Sequence, residues 1–152
     1  MEQAVVGALL SAAHVLTLAL GLGAIIARGR ALGAALDDAG WRRLLAADNL
    51  WGVAALLWIT TGLGRVFFGG KEAGFYWGNG LFWTKMALFG LVFLLELAPM
   101  ATFIRVRAAR RRRAAPPAFP VAVYRRINAA ETALTVLIVF VAAFMARGVW
   151  MF

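Results

Sequence analysis

The stretch that decides the fold is AVVGALLSAAHVLTLALGLGAIIA, residues 4–27, which holds no formal charge other than whatever His14 carries. As a helix rising about 1.5 Å per residue it would cover ~36 Å, more than the ~30 Å hydrocarbon core of a bilayer. Three further apolar runs follow. Residues 44–63 are interrupted near their start by Asp48, residues 81–104 contain Lys85 and Glu96, and residues 127–146 carry Glu131 one turn in. None alternates polar and apolar residues over about 10 positions, as a transmembrane strand would. The pattern predicts an all-α integral membrane protein, one antiparallel four-helix bundle occupying residues 1–152.

Composition agrees. Hydrophobic residues make up 63% of the chain, charged residues 15%, and the mean hydropathy is +0.80. A soluble domain of this size cannot hide so much apolar surface, so a water-soluble enzyme is excluded. With no cysteine, disulfides, thiolate metal sites and covalent haem attachment are excluded as well. Met1-Glu2-Gln3 lacks the positive flank of a secretory signal, so the first run reads as a retained helix.

Charge orients the bundle. The loop at 28–43 carries Arg28, Arg30, Arg42 and Arg43, and the loop at 105–126 carries Arg105, Arg107, Arg110, Arg111, Arg112, Arg113, Arg125 and Arg126. These twelve lie on one side, against Arg65, Lys71 and Arg147 on the other. The bias predicts a multi-pass protein of the bacterial inner membrane, with both termini periplasmic and the basic loops cytoplasmic. The formal net charge of +9 is thereby read as an insertion signal rather than a nucleic-acid footprint. Arg110, Arg111, Arg112 and Arg113 are expected to face anionic lipid headgroups. Trp41 and Trp51 near one boundary, and Trp77, Trp83 and Trp150 near the other, fit interfacial belts. The outer loop at 66–80 interleaves aromatics with glycines, as a segment lying in the interface or covering a site would.

Ionisable groups inside a span are costly and mark candidate sites. His14 is the only histidine, and Gly7 and Gly21, seven residues to either side, lie within about 20° of it on a helix. That leaves room for a flat ligand or for a neighbouring helix. Lys85 and Glu96 share a face but sit roughly 16 Å apart along the axis, too far to pair. Glu96 therefore needs a proton, water or another partner. Asn128, Glu131, Thr132 and Thr135 share one face of the last span and could meet Asp48, Asn49 and Glu96, with Arg125 or Arg126 as ionic partner. The result would be a polar column running from these carboxylates through His14 to Lys85. A proton relay, a clamp for an anionic ligand and a structural hydrogen-bond network all remain open.

Three patterns carry a resemblance: Ala13-His14-Val15-Leu16, Phe82-Trp83-Thr84-Lys85 and Arg125-Arg126-Ile127-Asn128. In this order they resemble the superfamily of HemJ-type protoporphyrinogen oxidases and CopD-like copper-resistance proteins. The segments Asp48-Asn49-Leu50-Trp51-Gly52 and Thr61-Gly62-Leu63-Gly64-Arg65, with Gly70-Lys71, Phe75-Tyr76 and Asn79 before the third span, resemble an uncharacterised bacterial four-helix membrane family within it. The resemblance implies a redox-active protein that binds haem or another tetrapyrrole. It would oxidise a porphyrinogen and pass electrons to a quinone-type acceptor. His14 would hold the haem iron or take a proton, and Lys85 would pair with a propionate. HemJ-like proteins carry further histidines that this chain lacks, and Trp83 stands where a histidine can occur. Beyond a haem iron at His14 no metal is expected, because copper would need soft donors that are missing. Two other functions stay open beside the redox reading: a non-catalytic subunit of a homo-oligomer or larger membrane complex, and a small proton or solute transporter component.

Overall fold

The computed structural model describes residues 1–69 and 73–150. It contains α1 (Glu2–Leu32), α2 (Asp38–Phe68), α3 (Ala73–Trp77), α4 (Gly80–Arg111) and α5 (Val121–Ala146). The four long helices, α1, α2, α4 and α5, are each long and apolar enough to cross a membrane, and each contains one expected span. All four outrun those spans at the basic end. α1 continues to Leu32 and α4 to Arg111, while α2 begins at Asp38 and α5 at Val121. The loops expected at 28–43 and 105–126 therefore shrink to residues 33–37 and 112–120. A 31-residue helix measures about 46 Å, so α1 and α2 either tilt or project beyond the hydrocarbon. Within the expected outer loop at 66–80, α2 extends to Phe68 and α3 forms a short helix. Gly70, Lys71, Glu72, Met151 and Phe152 lie outside the described residues.

Local chemistry sets the helix starts. Asp37 caps α2 by accepting the Gly40 amide on Oδ1 at 2.6 Å, and Asn79 caps α4 by accepting the Leu81 amide at 2.9 Å. Asn79 also donates through Nδ2 to the Val149 carbonyl at 3.2 Å, and the Gly80 amide donates to the Trp150 carbonyl at 3.1 Å. These bonds tie the segment after α5 to the start of α4. A Cβ at Gly80 would come within 2.8 Å of the Trp150 ring, so this approach requires glycine.

α1 packs most extensively on α2, α4 packs on α5, and α1 packs on α5, whereas the backbones of α2 and α4 do not run close together. That fourth side is bridged by side chains. Three apolar layers stack along the bundle. Trp41, Leu44, Phe103, Val106 and Tyr124 form the one at the basic end, where Phe119 packs against them. Ala24, Ile25, Trp51 and Val92 form the middle one, joined by Trp58, Leu134 and Ile138. Val66, Tyr76, Phe82 and Met145 form the third at the end that carries the termini. Large apolar side chains such as Leu16, Leu56, Phe93 and Phe140 point outward, as a lipid-facing surface requires.

Candidate functional site

The centre of the buried chemistry is Arg28. Counted from the first charge after the apolar run, it belongs to the loop at 28–43; the fold instead keeps it inside α1, with 1% of its surface exposed. Its Nε donates to Asn128 Oδ1 at 2.8 Å. Its Nη1 reaches Asp48 Oδ1 at 3.2 Å and both Glu96 oxygens at 2.9 and 2.8 Å. Its Nη2 donates to Glu131 Oε2. One guanidinium on α1 thus bonds to α2, α4 and α5 together, which its planar fork of five donors allows. Around it, Asn128 Nδ2 donates to the Ile25 carbonyl at 3.1 Å, and Trp51 Nε1 donates to Glu96 Oε2 at 3.2 Å. The Trp51 ring lies 5.9 Å from the Arg28 guanidinium carbon. Arg107 on α4 donates to Asp48 Oδ2 at 2.6 Å.

This hub holds three carboxylates (Asp48, Glu96, Glu131) and two guanidiniums (Arg28, Arg107), so full ionisation leaves one surplus negative charge. Glu131 Oε1, Thr135 Oγ1 and Arg107 Nε are buried without a hydrogen-bond partner among the described residues. Apolar layers close the hub on both sides. Toward the basic end, Phe103, Phe119 and Tyr124 stack on one another with centroids 5.1–6.0 Å apart. Tyr124 is itself anchored, its hydroxyl 2.7 Å from Thr102 Oγ1 and 3.2 Å from the Ala98 carbonyl.

A second polar group lies toward the other end. His14 is half-buried, with Nδ1 2.8 Å from Thr61 Oγ1 on α2. The Thr61 hydroxyl donates to the Leu57 carbonyl at 2.6 Å, so its oxygen is left to accept from the imidazole. His14 accordingly donates to Thr61 through Nδ1, which fixes the orientation of the ring. Arg65 on α2 and Lys85 on α4 lie in the same half of the bundle, the one that carries the termini. Among the described residues neither makes an ion pair. Lys85 Nζ sits 5.5 Å from the Phe82 ring centroid. Among the described residues the group is cationic and has no carboxylate paired to it.

Asp48, Glu96, Asn128 and Glu131 come together, through Arg28, while His14 and Lys85 make no contact with the hub. Other expectations need correction. Arg125 and Arg126 are exposed, and Arg28 takes the ionic role foreseen for them. Asn49, one residue after Asp48, is turned by about 100° and is exposed outside the hub. The polar column is broken: His14 and Arg28 are 14 residues, ~21 Å, apart on α1, and the middle apolar layer lies between them. Gly7 and Gly21 are packing positions rather than ligand room. A Cβ at Gly7 would meet the Gly69 carbonyl oxygen at 2.5 Å, and one at Gly21 would meet Ala54 and Trp51 at 3.4 and 3.5 Å. Arg110 reaches Asp38 at 3.0 Å, while Arg111, Arg112 and Arg113 are exposed around the α4 terminus.

Sequence reasoning missed Arg28, Arg107, Thr61 and Arg65. A signal for the first existed: Gly7, His14 and Gly21 recur every seven residues, and the next step is Arg28. Comparison with curated proteins and with solved structures finds no match. Four helices long and apolar enough to cross a membrane agree with a family model that covers almost the whole chain. Over residues 6–150 the chain belongs to the family described as Predicted membrane protein (DUF2214).

Proposed function

We propose that the protein is a membrane-embedded binder of a flat, anionic, lipid-soluble ligand at His14, Arg65 and Lys85. A tetrapyrrole such as haem is the ligand that its resemblance to HemJ-type proteins brings forward. The observation that carries the reading is His14 held through Nδ1 by Thr61, in the half of the bundle where Arg65 and Lys85 have no ion-pair partner among the described residues. An imidazole held through Nδ1 suits an axial ligand of haem iron, and the two cations suit propionates. A haem bound there would supply one-electron redox chemistry at its iron. Thr61 would fix the imidazole's orientation, and Lys85 and Arg65 would hold the ligand's anionic edge. The protein would lie in the bacterial inner membrane, with its termini on the periplasmic side.

The test is an absorption spectrum of gently solubilised protein, before and after adding haem, with mass spectrometry of the same sample. A Soret band that His14→Ala abolishes is expected. Lys85→Gln should weaken haem binding roughly tenfold, the order of one charge-assisted hydrogen bond. A colourless protein that never takes up haem overturns the reading. If it also co-purifies with other chains, a non-catalytic subunit of a larger membrane complex takes its place. The transporter reading has less support, since an apolar layer separates the two polar groups.

A further inference from the structure

On the outward side of the α1–α2 pair lies an open groove of about 640 Å³. Its walls follow the antiparallel register of the two helices. Gly23 stands across from Leu50, Ala27 across from Ala46, and Arg30 across from Arg43. From Gly23 to Arg30 is seven residues, so the apolar part runs for about 10 Å before the two arginines straddle its end. Large Leu, Ile and Phe side chains project from much of the outer surface, whereas Gly and Ala leave a trough here. Arg30 and Arg43 are exposed, and neither makes a hydrogen bond or an ion pair among the described residues. They also stand at the boundary of the apolar runs, where a bilayer places its phosphates.

We infer that this groove is a binding site for one anionic phospholipid, its phosphate between Arg30 and Arg43 and the upper part of an acyl chain along Gly23, Ala27, Ala46 and Leu50. A trough on a lipid-facing surface is filled by hydrocarbon, because an empty one forfeits dispersion contacts. A trough that ends between two unpaired cations selects a lipid whose headgroup is anionic. A zwitterionic lipid can fill the trough equally well, but its headgroup amine is repelled by the same pair. The site differs from the Arg110–Arg113 stretch, where Arg110 is already paired with Asp38.

The experiment is native mass spectrometry of the full chain released from bilayers of phosphatidylcholine doped with phosphatidylglycerol. Wild type should retain one phosphatidylglycerol in preference to phosphatidylcholine. Arg30→Gln with Arg43→Gln should lower its retention by about fivefold per arginine, the order of one basic residue at an anionic surface. Gly23→Leu with Ala46→Leu should displace the lipid by filling the trough; a Cβ at Gly23 meets no atom within 4 Å, so the new side chain enters the trough, and an unchanged unfolding temperature checks that the fold is kept. Changing Arg110, Arg111, Arg112 and Arg113 together to Gln should leave the retained lipid in place. Retention unchanged in the Arg30/Arg43 variant, loss in the four-arginine variant instead, or a dimer in place of the lipid adduct would overturn the inference.

Discussion

Arg28 holds the bundle together by satisfying polar groups from three other helices at once, and the sign of a substitution in the hub depends on which charge is removed. Arg28→Gln leaves Asp48, Glu96 and Glu131 facing one another with Arg107 nearby, and of these carboxylates Arg107 bonds to Asp48 alone among the described residues. Breaking a buried ion pair costs about 3–5 kcal/mol. The variant should therefore lose its cooperative unfolding transition in a denaturant titration in detergent. Glu131→Gln does the opposite by cancelling the one surplus negative charge, and its amide can still accept from Arg28. Its stability should stay within about 1 kcal/mol of wild type, the ordinary range of a near-neutral exchange. Equal losses from both substitutions would show that the carboxylate count does not matter. The acidic half of this hub was legible in the sequence, because a carboxylate inside an apolar run has no other explanation. Its basic half was hidden: a span measured up to its first charge ends at Arg28 and assigns to the loop a charge that turns inward.

At the level of elements, the number and order of membrane helices follow directly from the apolar runs, while their ends and mutual approach depend on glycines that look alike in sequence. Gly7 and Gly23 lie on the same helix and have opposite surroundings. At Gly7 the α2 terminus comes so close that a Cβ would meet the Gly69 carbonyl oxygen at 2.5 Å; at Gly23 a Cβ meets nothing within 4 Å. Gly7→Ala should thus destabilise the protein by about 1–3 kcal/mol through forced separation of α1 and α2. Gly23→Ala should be neutral or stabilising by up to ~1 kcal/mol, from helix propensity alone. Thermal unfolding of the two variants side by side checks the contrast, and a shift of the same sign in both would remove its basis. The same closeness explains why the Gly7 and Gly21 sides of His14 are packed rather than open: these glycines, three and one heptad steps from Arg28, bring α2 in. His14 itself was legible as the only histidine, whereas its partner Thr61 lies 47 residues away and no local pattern connects them.

For the whole molecule, the distribution of charge sets a direction that helix packing alone does not. With Arg28 withdrawn into the hub, Arg30, Arg42, Arg43 and the eight arginines of residues 105–126, Arg107 among them at the hub's edge, still stand at one end of the bundle, against Arg65 and Arg147 at the other. Arginines within reach of the membrane boundary are retained on the cytoplasmic side, so the basic end should face the cytoplasm and the termini the periplasm. Neutralising the hub does not alter this bias, since its charges are balanced to within one. The chain contains no cysteine, which makes the direction measurable without background. Single cysteines at Gln3 and at Ala115 report on opposite ends, because Ala115 lies in the exposed connection between α4 and α5. In intact cells with a permeabilised outer membrane, a membrane-impermeant maleimide should label Gln3→Cys and spare Ala115→Cys until the inner membrane is opened. Changing Arg110, Arg111, Arg112 and Arg113 to Gln lowers the bias without touching the hub. Those four changes leave seven arginines in the basic connections and their flanks, so the direction should persist and only the yield of inserted protein should fall. Labelling of Ala115→Cys from outside in the otherwise unaltered chain would reverse the assignment. It would also move the lipid groove at Arg30 and Arg43 to the periplasmic leaflet, because groove and basic loops share one end of the bundle.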